Sequence, residues 1–296
     1  MDEQTLTFRL LAILFPIFGI VAAGYFYGRK HKPEMAVANR LNMDVFVPAL
    51  VFSAMAGKAF DLSVYAPLAL GAFLVLAGCG LLAWPIARLL GVQPKTLVPP
   101  MLFNNSGNIG LPLAVLAWGE SALPAAVILF MVENTLHFSF GARLLDPSTR
   151  LLTLWRIPVV AAAIGGLAVA LLKLSVWQPA LIAIKMLGDV SVPLLLFSLG
   201  VRMTDVRFNE WKLAVGSALL RPLAGMALAY GAISLLGLQG RDAAMLIVFG
   251  ALPPAVLNFL FAERYKQEPQ RVASIVLIGN LAALIFLPLA LGIVLH

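Results

Sequence analysis

The amino-acid sequence predicts an all-α polytopic membrane protein, and three observations carry that prediction. Of its 296 residues, 61% are hydrophobic and only 12% are charged, against roughly 25% charged in soluble domains. The apolar residues lie in long runs, each about the length that crosses a bilayer as a helix. The basic residues fall between the runs and favour alternate gaps.

Ten spans follow from hydropathy and from Pro, Gly and charge punctuation: 8–28, 39–57, 64–88, 97–118, 122–145, 153–174, 179–201, 209–236, 242–264 and 270–294. The start, Met1-Asp2-Glu3-Gln4, lacks the basic n-region of a signal peptide, so the first run reads as a retained span. With the N-terminus outside, the inner gaps hold fifteen Lys and Arg, among them Arg150, Arg202 and Arg207, and the outer side five, among them Lys58 and Lys185. This asymmetry predicts a multi-pass protein of the cell membrane with both termini outside. The formal charge of +7 is thereby explained by loops, and no nucleic-acid partner is expected. Cys79 is the single cysteine, so no internal disulfide can form.

The two halves repeat. Asp44-Val45-Phe46-Val47-Pro48 and the Phe52-Ser53 that follows match Asp189-Val190-Ser191-Val192-Pro193 and Phe197-Ser198 at an offset of 145. Pro16 answers Pro158 at 142, and Leu111-Pro112 answers Leu252-Pro253 at 141. Residues 1–146 and 147–296 therefore read as two five-helix units. An odd number of spans per unit puts the copies in opposite orientations, an inverted repeat about an axis in the membrane plane.

Spans four and nine are interrupted at corresponding places. Asn104-Asn105-Ser106-Gly107-Asn108-Ile109-Gly110-Leu111-Pro112 puts three Asn, two Gly and a Pro where an unbroken helix would be cheapest. Pro112 removes the N–H that the Asn108 carbonyl needs and disfavours helical Leu111, so a break at Leu111 and a new half-helix opening on Pro112 are expected. Ala251-Leu252-Pro253-Pro254-Ala255-Val256-Leu257-Asn258 is the second break. Paired interruptions in two halves point to a binding site near mid-depth.

Asn105-Ser106-Gly107-Asn108-Ile109-Gly110-Leu111-Pro112, with Pro254-Ala255-Val256 and Ala262-Glu263-Arg264-Tyr265, resembles the auxin efflux carrier family, which includes plant PIN carriers and bacterial permeases for malate and malonate. The resemblance covers the whole chain. At Leu257 the family often has Asn, and here the Asn follows at Asn258. The resemblance implies the fold of bile-acid symporters and NhaA-type antiporters, in which broken helices four and nine cross. Helices 1, 2, 6 and 7 would then form a scaffold, often dimeric, and helices 3–5 and 8–10 a moving transport domain. It implies a secondary carrier of small organic anions, carboxylates such as malate, malonate or auxin-like acids, working by alternating access. A sodium-coupled carrier resembling the bile-acid symporters, or a membrane-embedded ligand sensor on the same fold, is the alternative.

Two half-helix N-termini at mid-depth suit a carboxylate. Each supplies about 0.3–2 kcal/mol, less than the several kcal/mol that desolvating an anion costs. Donor side chains or a cation must therefore help. The candidates for substrate binding are Asn104, Asn105, Asn108 and Asn258, together with Gly110, Pro112, Pro253 and Pro254, which also shape the breaks. Some of these Asn are expected only to repair freed backbone groups. Arg221, inside span eight, has two readings: a substrate-binding cation, or a structural ion pair with Glu133 of span five. Glu133 and His137 lie one turn apart and are candidates for coupling to a proton or to sodium. They are too few ligands for a zinc site, and no metal or other cofactor is expected. Arg40–Asp44 and Lys185–Asp189 read as structural pairs on spans two and seven. Catalytic motifs such as Gly-x-Ser-x-Gly and His-Glu-x-x-His are absent from the sequence, which disfavours an intramembrane enzyme. The sequon Asn104-Asn105-Ser106 sits too deep to be glycosylated.

Overall fold

A computed structural model describes residues 3–56, 62–148, 156–204 and 211–295, and these are helical apart from turns and one isolated bridge. Lys58, Arg150 and Arg207, which enter the charge asymmetry, lie outside the described residues. Among the described residues, six helices are long and apolar enough to cross a membrane: Phe8–His31, Val64–Leu89, Glu120–Leu145, Gln178–Arg202, Trp211–Leu236 and Pro269–Val294. The remaining predicted spans are shorter or interrupted helices. The protein is thus a polytopic all-α membrane protein.

Helix α1 (Glu3–His31) runs through Pro16 without ending. Helix α2 (Ala36–Leu41) passes through a wide i→i+5 turn at Asn42–Phe46 into α3 (Val47–Ala56). These pack with α9 (Pro158–Leu171) and α10 (Gln178–Arg202) as one group: α1 on α10, α3 on α9 and α3 on α10. Within lipid there is no hydrophobic drive for helices to associate, so small residues bring their backbones together. A Cβ on Gly200 would lie 2.0 Å from the Val21 carbonyl oxygen, and one on Gly24 2.2 Å from that of Phe197. Pro16 lies inside its helix, and Pro158 opens one.

The second group comprises α4 (Leu62–Leu89), α5 (Pro94–Leu102), α7 (Leu123–Leu136), α11 (Trp211–Leu236), α12 (Gly240–Ala251) and α14 (Pro269–Val294). Helix α11 is its hub, packing on α4, α12 and α14. Its Gly225 meets Gly250 of α12 backbone to backbone, where a Cβ on either would fall 2.1 or 2.4 Å from the other's carbonyl oxygen. Both expected exposed pairs form, Arg40–Asp44 at 3.8 Å and Lys185–Asp189 at 3.0 Å. At such exposure each contributes about 0–1 kcal/mol.

Candidate functional site at the crossed breaks

The chain between α5 and α6 (Leu111–Trp118) is extended at Phe103, and the chain after α12 is extended at Leu252. The two unwound stretches lie antiparallel and bridge at Asn104 and Pro254. Asn105 N–H donates to the Pro253 carbonyl at 2.7 Å, and Ala255 N–H to the Phe103 carbonyl at 3.0 Å. Backbone groups that leave a helix within a membrane need partners, and each break supplies them to the other.

Side-chain amides complete the stitching. Asn104 Nδ2 donates to the Phe249 carbonyl at 2.8 Å. Asn258 Nδ2 donates to the carbonyls of Phe103 at 3.1 Å and Ala255 at 2.9 Å. Asn105 Nδ2 donates to Asn280 Oδ1 at 2.9 Å, and Asn280 Nδ2 to the Pro254 carbonyl at 3.0 Å. The Asn105 carboxamide oxygen also caps the next helical segment, accepting from Asn108 N–H at 3.3 Å. Asn104, Asn105 and Asn258 therefore hold the backbone. The Asn108 side chain is half-buried and free of such duty.

The break in span four lies earlier than expected. Leu111 is helical at φ −59°, ψ −54°, and Pro112 sits inside the helix instead of opening it. Residues Ser106–Gly110 form a wide turn in which Leu111 N–H donates to the Ser106 carbonyl, five residues back. That register shift accommodates the N–H missing at Pro112. The second half-helix consequently starts at Ser106, and Asn105, not Gly110, caps it. Pro112→Ala is then expected to leave the crossing intact. It should stabilise the fold by on the order of 1 kcal/mol, because an N–H is regained where the turn has already absorbed the ring. Melting temperature and ligand affinity measured on one preparation check this; a tenfold loss of affinity would move the functional break back to Pro112.

A cavity of about 140 Å³ lies where the crossing meets the first packing group. Gly107 and Asn108 reach it from the start of one half-helix, and Val256 and Leu257 from the start of α13 (Leu257–Arg264). The amides at each start are partly capped, Asn108 N–H by the Asn105 side chain and those of Asn258 and Phe259 by the carbonyls of Ala255 and Val256, and both segments turn the positive pole of their dipole to one space. Asn39 lines the cavity from α2, and Ser198 and Arg202 line it from α10. The cavity shares Asn39, Leu199, Arg202, Val256 and Leu260 with a vestibule of about 610 Å³. Pro112 lines a different cavity, of about 340 Å³, with Glu120 and Asp189. Gly110, Pro253, Pro254 and Asn258 are structural neighbours of the first cavity without lining it.

Helix α7 and the wide turn His137–Gly141, which joins it to the short α8 (Ala142–Leu145), bring Glu133, Asn134 and His137 to the same space, all three buried. Glu133 Oε1 lies 3.0 Å from His137 Nδ1, and Ser106 Oγ donates to Oε2 at 3.2 Å. The His137 ring is stacked on Phe103 at 4.1 Å and meets the edge of Phe261 at 4.9 Å. Asn134 Nδ2, His137 Nε2 and Asn104 Oδ1 are buried there with no hydrogen-bond partner. Buried polar atoms of that kind are uncommon, and three of the eight among the described residues belong to side chains that line this cavity.

The expected ion pair between Arg221 and Glu133 is not made, because the carboxylate is taken by His137 and Ser106. Arg221, wholly buried, donates from Nη1 to the Gly250 carbonyl at 2.7 Å and does not line the cavity. Its cation stands at the C-terminal end of α12, where the helix dipole is negative.

The membrane transport protein family matches residues 147–291. The chain is 22% identical to the "Putative malonate transporter" of Rhizobium meliloti over 92% of both chains. It is 32% identical to auxin efflux carrier component 3a of Oryza sativa over 44% of this chain and 22% of that protein. It is 23% identical to the uncharacterized transporter YfdV of Escherichia coli over 86% of this chain and 87% of that one. The chain is thus similar to auxin efflux carriers over part of its length and to bacterial transporters over most of it. The family model and these relatives are all of membrane transporters. The chain spans about nine-tenths of these bacterial relatives and about a fifth of the rice carrier.

Sequence reasoning missed four contributors to the site. Asn39 reads as a helix end, Ser198 as part of the repeat and Arg202 as loop charge, although Asn39 and Ser198 are hydrogen-bonded across α2 and α10. Asn280, a buried amide in an otherwise apolar stretch of α14, was the legible one, since polar groups at such depth need a reason.

Proposed function

We propose that the protein is a secondary transporter of small carboxylates of the cell membrane, with both termini outside. The observation that carries this is the pair of half-helix starts on one cavity, with buried unpartnered polar atoms in its wall. Two positive helix ends with the amide of Asn108 match a carboxylate, as they do in other carriers built on broken helices. The name of the Rhizobium meliloti relative, aligned over nearly the full length, supports the same class. The two packing groups support a scaffold of α1, α2–α3, α9 and α10 and a moving domain of the remaining helices, arranged as inverted five-helix repeats. The cavity lies on the boundary between these groups, so sliding one past the other would carry a bound anion between faces. A homodimer through the scaffold helices belongs to this reading.

Purified protein in proteoliposomes should give saturable uptake of a labelled mono- or dicarboxylate, competed by other carboxylates and not by neutral solutes of similar size. Binding and uptake of neutral solutes or cations with no carboxylate response would discard the anion reading.

A further inference from the structure

Resting on that carboxylate reading, we infer that the Glu133–His137 pair binds one proton together with the substrate anion, making transport a proton–carboxylate symport. The His137 Nδ1 atom faces the Glu133 carboxylate at 3.0 Å, while Nε2 of the same ring is buried without a hydrogen-bond partner, and the ring belongs to the lining of the cavity. With the carboxylate ionised and the imidazole neutral, the hydrogen must sit on Nδ1, because a bare Nδ1 would oppose a carboxylate lone pair. Nε2 then presents a lone pair, and the pair carries one negative charge. Both features repel a carboxylate.

Adding one proton reverses both. The new hydrogen stands on Nε2 whether the inner hydrogen stays on Nδ1 or passes to Glu133 Oε1, since a neutral imidazole facing a protonated carboxyl also carries its hydrogen on Nε2. The cavity wall gains an N–H donor and the pair becomes neutral overall. Ser106 Oγ holds the other carboxylate oxygen in either state. Stacking on Phe103 and the edge of Phe261 fix the ring plane, so Nε2 cannot swing away. The charged groups facing the pair from other elements are Arg202 of α10 on the same cavity and Arg221 of α11, which acts on Glu133 through space only. Both guanidiniums stay charged throughout, so the change in charge belongs to the pair. Cys79 of α4 lies beside Arg221, away from the cavity lining. Proton and anion occupy one site and therefore cross in the same direction.

Titration calorimetry with malonate and with pyruvate, each in two buffers of different ionisation enthalpy, counts protons taken up per anion bound. The wild type should take up about one more proton per anion than His137→Gln, which shares the substrate's own titration and keeps an amide N–H at every pH. Its apparent dissociation constant should rise by up to about tenfold per pH unit beyond that of the variant. Binding without proton uptake by the wild type overturns the coupling and leaves the carboxylate reading standing. No binding of either acid at any pH overturns both. Should His137→Gln fail to fold, pyruvate, which stays ionised across neutral pH, decides with the wild type alone. Glu133→Gln adds a second check, since it should bind with reduced pH dependence.

Discussion

Asn280→Leu is expected to destabilise the protein by about 2–6 kcal/mol, because it leaves two buried groups unpaired at about 1–3 kcal/mol each. The Nδ2 of Asn105 loses its acceptor, and the Pro254 carbonyl loses its donor. Both lie at the crossing, where water is scarce and no other side chain of α14 can substitute. Asn105→Leu should also destabilise, and the double variant should lose less than the sum, since each change removes a group that the other strands. Gly279 beside it sharpens the expectation: a Cβ there would fall 2.5 Å from Pro254 Cδ, so α14 already lies as close to the break as atoms permit. Melting temperatures of the two singles and the double in one detergent decide this. A loss below about 1 kcal/mol for Asn280→Leu would mean that the crossing does not depend on α14.

Asn108→Ala should do the opposite, sparing the fold and damaging binding. Its backbone N–H, which Ala keeps, serves the cap on Asn105, and its side chain lines the cavity without holding any backbone group. Losing a donor to a carboxylate costs about 1–3 kcal/mol, roughly a 5- to 150-fold rise in dissociation constant. The melting temperature without ligand should hardly move. Asn104→Ala is the contrasting variant, since it frees the Phe249 carbonyl and should lose stability before affinity. Unchanged carboxylate affinity in a folded Asn108→Ala protein would transfer the donor role to Asn134, whose Nδ2 is unpartnered in the same wall.

The sequence by itself determined that the chain is helical, apolar and multiply membrane-crossing, and that two of its helices are interrupted. Those features follow from composition and from Pro, Gly and Asn at depths where an unbroken helix would otherwise win. It also determined that Glu133 and His137 share a face, because that is a matter of helical spacing alone. Only the tertiary structure decided where the first break lies, since a wide turn at Ser106–Gly110 could accommodate Pro112 in place of a chain break. Only it decided which Asn is free for a ligand: Asn104, Asn105 and Asn258 are alike in sequence to Asn108, but their amides are claimed by Phe249, Asn280, Phe103 and Ala255. It likewise took Glu133 away from Arg221 and gave it to His137 and Ser106. The reason is common to all three. A hydrogen bond is won by whichever partner arrives within about 3 Å at the right angle, and between residues as far apart as Asn105 and Asn280 that arrival is settled by how the helices cross.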